Sequence, residues 1–219
     1  MCPELILWDW NGTLLDDLDL CLDALNRLLA RHGYPQRYDH DGYRAIFGFP
    51  IQDYYTRAGF DFTKDSFAEL AKDYMDYYIP AAEACTLMPG AQQTLSAFQT
   101  AGVRQVILSA SPLTTLQAQV AQRGITGCFD RLLGLDDIYA KSKIETGLRY
   151  LAESGFDPAH AVMIGDTTHD FEVAQALGVR CVLQTGGHQP RATLQSTGAP
   201  VFDTLPQIAA YLLEGQNDE

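Results

Sequence analysis

Glu4-Leu5-Ile6-Leu7-Trp8-Asp9-Trp10-Asn11-Gly12-Thr13 is an apolar run that ends abruptly in an acidic, glycine-containing turn. A short continuous apolar run closed by a turn signal reads as a strand buried on both faces, as strands of parallel sheets are. Asp9 then stands at the strand's carboxyl end, outside which open α/β sheets bind their ligands. Asn11-Gly12 is also the strongest short hairpin signal, which would reduce Asp9 to turn chemistry. A hairpin, however, needs a second strand directly after its turn. Here Leu18, Leu22, Leu25 and Leu29 recur at helical spacing, and Gly33 sits where a helix C-cap belongs.

Working outward, the pattern predicts a helix from Asp16 to His32, aromatic-rich and less regular sequence through Phe60, and a second helix from Lys64 to Tyr78. From Pro89 the pattern changes to strict alternation. Helices are expected over 89–101, 112–123, 143–154 and 168–177, with strands over 103–109, 131–135, 161–164 and 179–183 between them. A short helix from Pro190, a strand near Val201 and a helix over 205–213 complete the chain. Glycines just past helix ends and prolines at first turns support these boundaries. Alternating strands and helices imply an α/β fold, a Rossmann-like doubly wound parallel sheet. The first strand must join that sheet to stay buried, so the all-helical stretch is an insertion placed directly after the Asp9 turn.

The 219 residues include 15 Lys plus Arg against 28 Asp plus Glu, a net charge of −13. Such a balance provides no basic face for a phosphate backbone, so nucleic acid is excluded as a partner. No run reaches membrane-span length and the first residues lack the parts of a signal peptide, which predicts a cytoplasmic protein with no membrane partner. Five scattered cysteines without a CxxC pair suggest buried thiols rather than a disulfide framework or a zinc site.

Four features fall at predicted strand ends or helix starts. They are Asp9-Trp10-Asn11-Gly12-Thr13; Ser109 at the end of Val106-Ile107-Leu108; a lysine, Lys141 or Lys143, before a helix; and Gly165-Asp166-Thr167-Thr168-His169-Asp170. Each alone has a plainer reading as a helix cap, a solvated helix start or dipole-matching first-turn acids. In this order they resemble the haloacid dehalogenase superfamily, whose motifs are DxDxT, Ser or Thr, Lys, and GDxxxD. The insertion resembles the C1 helical cap of its phosphoglycolate phosphatase-like members. The resemblance spans essentially the whole chain and implies a core of residues 1–15 and 85–219 with a cap of residues 16–84.

It further implies a Mg²⁺-dependent phosphatase acting on a small phosphorylated metabolite through an aspartyl-phosphate. Asp9 matches the nucleophile, and a carboxylate nucleophile divides a difficult hydrolysis into two easier steps. Asp9, the backbone carbonyl of Asn11 and Asp166 match the metal ligands, with Asp170 as the supporting acid. Ser109 matches the group that hydrogen-bonds a phosphoryl oxygen, and the lysine screens the charge that nucleophile and phosphate share. Spacing from Gly165-Asp166 in compact members favours Lys143, whereas members with a KPxP extension would favour Lys141; Lys143 is adopted.

The chain departs from the pattern at Asn11, where phosphatases carry the aspartate that protonates the leaving oxygen. An amide cannot exchange that proton, so a slowed enzyme, or one restricted to good leaving groups, is expected. Dehalogenase or phosphonatase chemistry, and a phosphate-binding protein without turnover, are the alternatives on the same scaffold. Gly165-Asp166 argues against the dehalogenase, and only Lys64 and Lys72 are available as a phosphonatase's cap lysine. His169 and His188 invite a metal reading, but each needs partners that the sequence does not show. Arg44, Phe49, Tyr54 and Arg57 are the insertion's candidate substrate contacts.

Overall fold

The computed structural model describes residues 2–135 and 142–214. Lys141 therefore lies outside the described residues. In chain order the strands are β1 (Leu5–Trp8), β2 (Leu15–Asp16), β3 (Thr86–Leu87), β4 (Arg104–Leu108), β5 (Arg131–Leu133), β6 (Ala161–Gly165), β7 (Arg180–Gln184) and β8 (Val201–Phe202). The helices are α1 (Leu18–Arg31), α2 (His40–Ile46), α3 (Ile51–Ala58), α4 (Phe67–Ala81), α5 (Ala91–Thr100), α6 (Leu113–Gln122), α7 (Lys143–Ser154), α8 (Thr168–Leu177), α9 (Arg191–Gln195) and α10 (Leu205–Glu214).

Six strands form one parallel sheet in the order β5-β4-β1-β6-β7-β8. β1 is central, and all four of its residues are fully buried. Its side chains alternate: Ile6 and Trp8 enter the core beneath α5 and α10, while Leu5 and Leu7 enter the core beneath α7 and α8. The chain builds outward from β1 to β4 and β5, then crosses to β6 on β1's other side. That reversal is the topological switch point, and its crevice opens at the carboxyl ends of β1, β4 and β6. Helices on both faces complete the doubly wound architecture expected from the alternation.

Helices α1 to α4 pack on an apolar cluster of their own, containing Leu25, Leu29, Tyr43, Tyr54, Tyr55 and Leu70. The stretch through Phe60, expected to be irregular, contains α2 and α3. These are short helices whose tyrosines are buried in that cluster, and tertiary packing is what stabilises helices of such length. α4 starts three residues later than Lys64 because Ser66 and Glu69 form a capping box there. The two chain crossings into this helical unit pair with each other: Leu15 and Asp16 form an antiparallel ribbon with Leu87 and Thr86. The turn at Asn11-Gly12 does lead into a strand, but its partner lies some seventy residues on. Among the described residues no helix is long and apolar enough to cross a membrane.

Candidate active site

The sheet brings the predicted residues to one crevice. The Asp9 amide extends the β1 ladder by donating to the Ile164 carbonyl at 2.8 Å. The Trp10 carbonyl then accepts from the amides of Leu14 and Leu15, each at 2.9 Å, so the chain folds back sharply. Gly12 makes that turn at φ +70°, and a Cβ on it would collide with the Asp166 carboxylate. Glycine is thus required both by the left-handed backbone and by the close approach.

Lys143 opens α7, where Ser142 caps the helix by accepting from the Glu145 amide at 3.2 Å. Its side chain is only 3% exposed and its Nζ donates to Asp9 Oδ1 and Asp170 Oδ1, both at 2.6 Å. The other oxygen of Asp170 accepts from Thr167 Oγ1 at 2.8 Å and from the amides of Asp166 and Thr167. Asp170 is therefore both the capping acid of α8 and a member of the carboxylate cluster. Asp166 accepts from Thr13 Oγ1 at 2.9 Å and from the His188 amide at 2.6 Å. Ser109, at the end of β4, accepts from the Ser111 amide at 3.0 Å, which leaves its hydroxyl proton available beside Asp9.

Lys143 pairs with two of three neighbouring buried carboxylates, Asp9 and Asp170, while the charge facing Asp166 is that of His188, and the set stays under-compensated. Burial, reinforced by the Asp170 charge, pushes Asp9 up to about 7 against the pull of Lys143. Burial likewise pushes Asp166 up to about 6, with the His188 charge opposing. Asp170 is also buried, but Lys143 and the Thr167 hydrogen bonds outweigh that and hold it below the ordinary carboxylate range. Oxygens of Asp9, Asp166 and Asp170 lie within 4.8 Å of one another. An all-carboxylate set that carries excess negative charge fits a hard divalent cation.

Asn11 is locked in place. Its Nδ2 donates to Asp17 Oδ2 at 2.8 Å and to Tyr78 Oη at 2.6 Å, while its Oδ1 accepts from Ser111 Oγ at 2.9 Å. Asp17 also accepts from the Gly12 amide at 2.9 Å and from Tyr78 Oη at 2.6 Å, and it faces His188 Nε2 at 3.4 Å. His188 Nδ1 meets Tyr43 Oη at 3.0 Å. Burial opposes the charge on both Asp17 and His188. The His188 contact nevertheless holds Asp17 low, and Asp17 pushes His188 up to about 9.

Sequence reasoning missed this network of Tyr43, Tyr78, Asp17 and His188, which ties the helical unit to the sheet. The available signal was Gly186-Gly187-His188 directly after β7, at another strand's carboxyl end. The metal reading of the histidines takes a different form in the structure. His188 lies with Asp17 and Cys21 in a buried group, whereas His169 stacks on Phe49 with ring centroids 4.4 Å apart.

Of the candidate contacts in the insertion, Phe49 lines the crevice. Arg44 instead donates to the carbonyls of Gly187 and Gly186, Arg57 donates to the Ile46 carbonyl, and Tyr54 is buried among the helices. Lys64 donates to the His32 carbonyl and Lys72 pairs with Asp76, so neither lysine is in the crevice.

The comparisons with known proteins agree with the geometry. The chain is 28% identical over 193 residues to a phosphoglycolate phosphatase of Pseudomonas putida, covering 85% of this chain and 71% of that protein. It is 26% identical over 219 residues to a phosphoglycolate phosphatase of Pseudomonas fluorescens, covering 97% and 80%. A haloacid dehalogenase-like hydrolase from Streptococcus pneumoniae shares the fold with a TM-score of 0.83 at 22% identity, covering 95% of this chain and 98% of that one. The family model described as haloacid dehalogenase-like hydrolase matches residues 6–184, more than three-quarters of the sequence, and the chain belongs to that family of enzymes.

Proposed function

We propose that the protein is a Mg²⁺-dependent phosphatase of a small phosphorylated metabolite, with Asp9 as nucleophile and residues 16–84 as a cap over the core of residues 1–15 and 85–219. The observation that carries this reading is the placement of Asp9 at the end of β1, held by Lys143 and flanked by Asp166 and Asp170. An Asp9 oxygen attacks phosphorus, the bond to the leaving oxygen breaks, and an aspartyl-phosphate forms. Water then attacks the same phosphorus and frees inorganic phosphate and the Asp9 carboxylate. Lys143 and the Ser109 hydroxyl stabilise the charge that develops on the phosphoryl oxygens. Asp9, Asp166 and the Asn11 carbonyl would hold Mg²⁺, with Asp170 in support; when bound, the ion offsets repulsion between nucleophile and phosphate.

Asn11 shapes the first step. Its Nδ2 is bound to Asp17 and Tyr78 and carries no proton that it can give up at neutral pH, so the leaving oxygen departs without acid assistance. A general acid contributes typically about 10²- to 10⁴-fold. 4-Nitrophenyl phosphate, whose anion departs unaided, is expected to be hydrolysed about 10²-fold or more faster than alkyl phosphates. Steady-state kinetics on both checks this. Equal rates would mean that another group supplies the proton, and inactivity towards every ester with Mg²⁺ present would contradict the phosphatase reading.

The cation has a signature independent of turnover. A carboxyl raised above its unfolded value contributes stability that is present at low pH and lost as pH rises through its folded value. For metal-free protein, Asp9 and Asp166 therefore withdraw stability between about pH 4 and 7. Mg²⁺ is expected to raise Tm clearly at pH 8 and little at pH 5, as thermal melts with and without the ion will report. A Mg²⁺ shift of the same size at both values would place the ion elsewhere.

A further inference from the structure

We infer that the substrate's leaving group is an uncharged, apolar alcohol that is stable as its oxyanion, so that the natural substrate is a small aryl phosphate rather than a phosphorylated acid or amine. This rests on the phosphatase reading above and concerns the part of the substrate beyond the phosphate.

A cavity of about 260 Å³ lies over Asp9 and Ser109 beneath the cap. Away from the carboxylate floor its walls include Phe47, Phe49, Ile51, Tyr74, Met75 and Pro112, and almost all of the cavity's accessible surface is apolar. Lys143 is the sole Lys or Arg among the described residues that line it, and Asp9 and Asp170 both occupy that lysine. The two histidines in the lining are committed as well. His188 sits between Asp17 and Tyr43, and His169 stacks on Phe49 and contacts Glu172 at 3.2 Å. Among the described residues, a carboxylate or second phosphate on the leaving group would therefore find no uncommitted counter-charge, and burying it so is strongly unfavourable.

An ammonium tail is no better served. Asp17, the remaining acid among the described residues of the lining, already accepts from the Gly12 amide, Asn11 and Tyr78 and faces His188. An aromatic ring, in contrast, is stabilised by the apolar surface it buries, and it finds aromatic partners in Phe47, Phe49 and Tyr74.

A second observation points the same way independently. With an amide at position 11, the leaving oxygen must depart as an anion. A phenol ionises near pH 10, as tyrosine does, whereas an aliphatic hydroxyl of the serine kind does not ionise in the ordinary range. Apolar walls select the ring, and the missing acid selects the oxygen attached to it.

The test compares kcat/KM for phenyl phosphate, cyclohexyl phosphate, phosphoglycolate and phosphocholine with Mg²⁺. It also measures calorimetric binding of the same esters to Asp9→Asn protein, where no turnover intervenes. Phenyl phosphate is expected to exceed phosphoglycolate and phosphocholine by about 10²-fold in kcat/KM. It should bind the variant more tightly than either, with the negative heat-capacity change of apolar burial. Cyclohexyl phosphate should bind like phenyl phosphate but turn over slowly, which separates the apolar wall from the leaving-group requirement. Phosphoglycolate or phosphocholine matching phenyl phosphate would overturn the inference and leave the phosphatase reading intact. Hydrolysis of none of the four, with none bound by the variant, would overturn both.

Discussion

Asp9→Asn is expected to abolish turnover, by about 10⁴-fold or more, while making the metal-free protein more stable at pH 8. The two effects have one origin. The placement that would let Asp9 act as the nucleophile also buries it beside Asp170 and Asp166. Burial and repulsion raise its proton affinity, so at pH 8 the ionised carboxylate opposes folding, and a neutral amide of the same shape removes that opposition. Lys143 keeps its second partner, Asp170, so the substitution does not strand a buried cation. Melting curves should show the variant above the parent at pH 8, with the difference closing towards pH 5. A variant that lost activity together with stability would indicate a structural role for Asp9 rather than a nucleophilic one.

Lys143→Met is expected to produce the largest loss of stability, about 3–5 kcal/mol, the scale for removing one partner of a buried ion pair. Nζ bridges Asp9 and Asp170, and without it three buried carboxylates face one another. At about 2–4 °C per kcal/mol for a chain of this size, Tm should fall by roughly 6–20 °C. Asp170 supplies the sign of the pH dependence. In the parent its lowered proton affinity is a contribution present above the unfolded value and lost in acid. In the variant Asp9 and Asp170, freed from the lysine's pull, take up protons more readily, so the deficit shrinks as pH falls from 8 to 5. Arginine is not an adequate replacement, since its planar fork does not reproduce a compact ammonium bridging two oxygens. A deficit independent of pH would mean that lost packing, not lost charge, is responsible.

Much of this arrangement was legible in the sequence because it is local. The alternation of strands and glycine-stopped helices specified the parallel sheet, and Asp9, Ser109 and Asp166 each follow an apolar strand, so the sheet alone gathers them. Lys143 could be placed at a helix start, and its choice over Lys141 depended on spacing; the structure buries Lys143 between two carboxylates, while Lys141 lies outside the described residues. Less legible were contacts between residues distant in the chain. Tyr43 and His188 are 145 positions apart and Asp17 and Tyr78 are 61 apart, and nothing in their immediate neighbours announces either pairing. α2 and α3 escaped for a related reason: their tyrosines are helical only because they pack against α1 and α4. The hairpin alternative at Asn11-Gly12 had local support, and a small ribbon does form there, but with a partner strand that the chain reaches only after the helical unit.

The hydrogen bonds around Asn11 connect these levels. The Asn11 amide, which would leave the proposed chemistry without an acid, ties β1's turn to Asp17 and, through Tyr78, to α4 of the helical unit. On the proposed mechanism, one residue of a ten-residue motif would bear both on leaving-group choice and on how the helical unit is seated.

The central claim is that phosphate passes through the Asp9 carboxylate. Its most direct measurement is to quench the enzyme in acid during turnover of 4-nitrophenyl phosphate with Mg²⁺, reduce it with borohydride and map the peptides. An aspartyl-phosphate is reduced to homoserine, and the account predicts homoserine at position 9 in amounts that follow the occupancy of the enzyme by substrate. Steady turnover with an unmodified Asp9, or homoserine at another acidic residue, would contradict it.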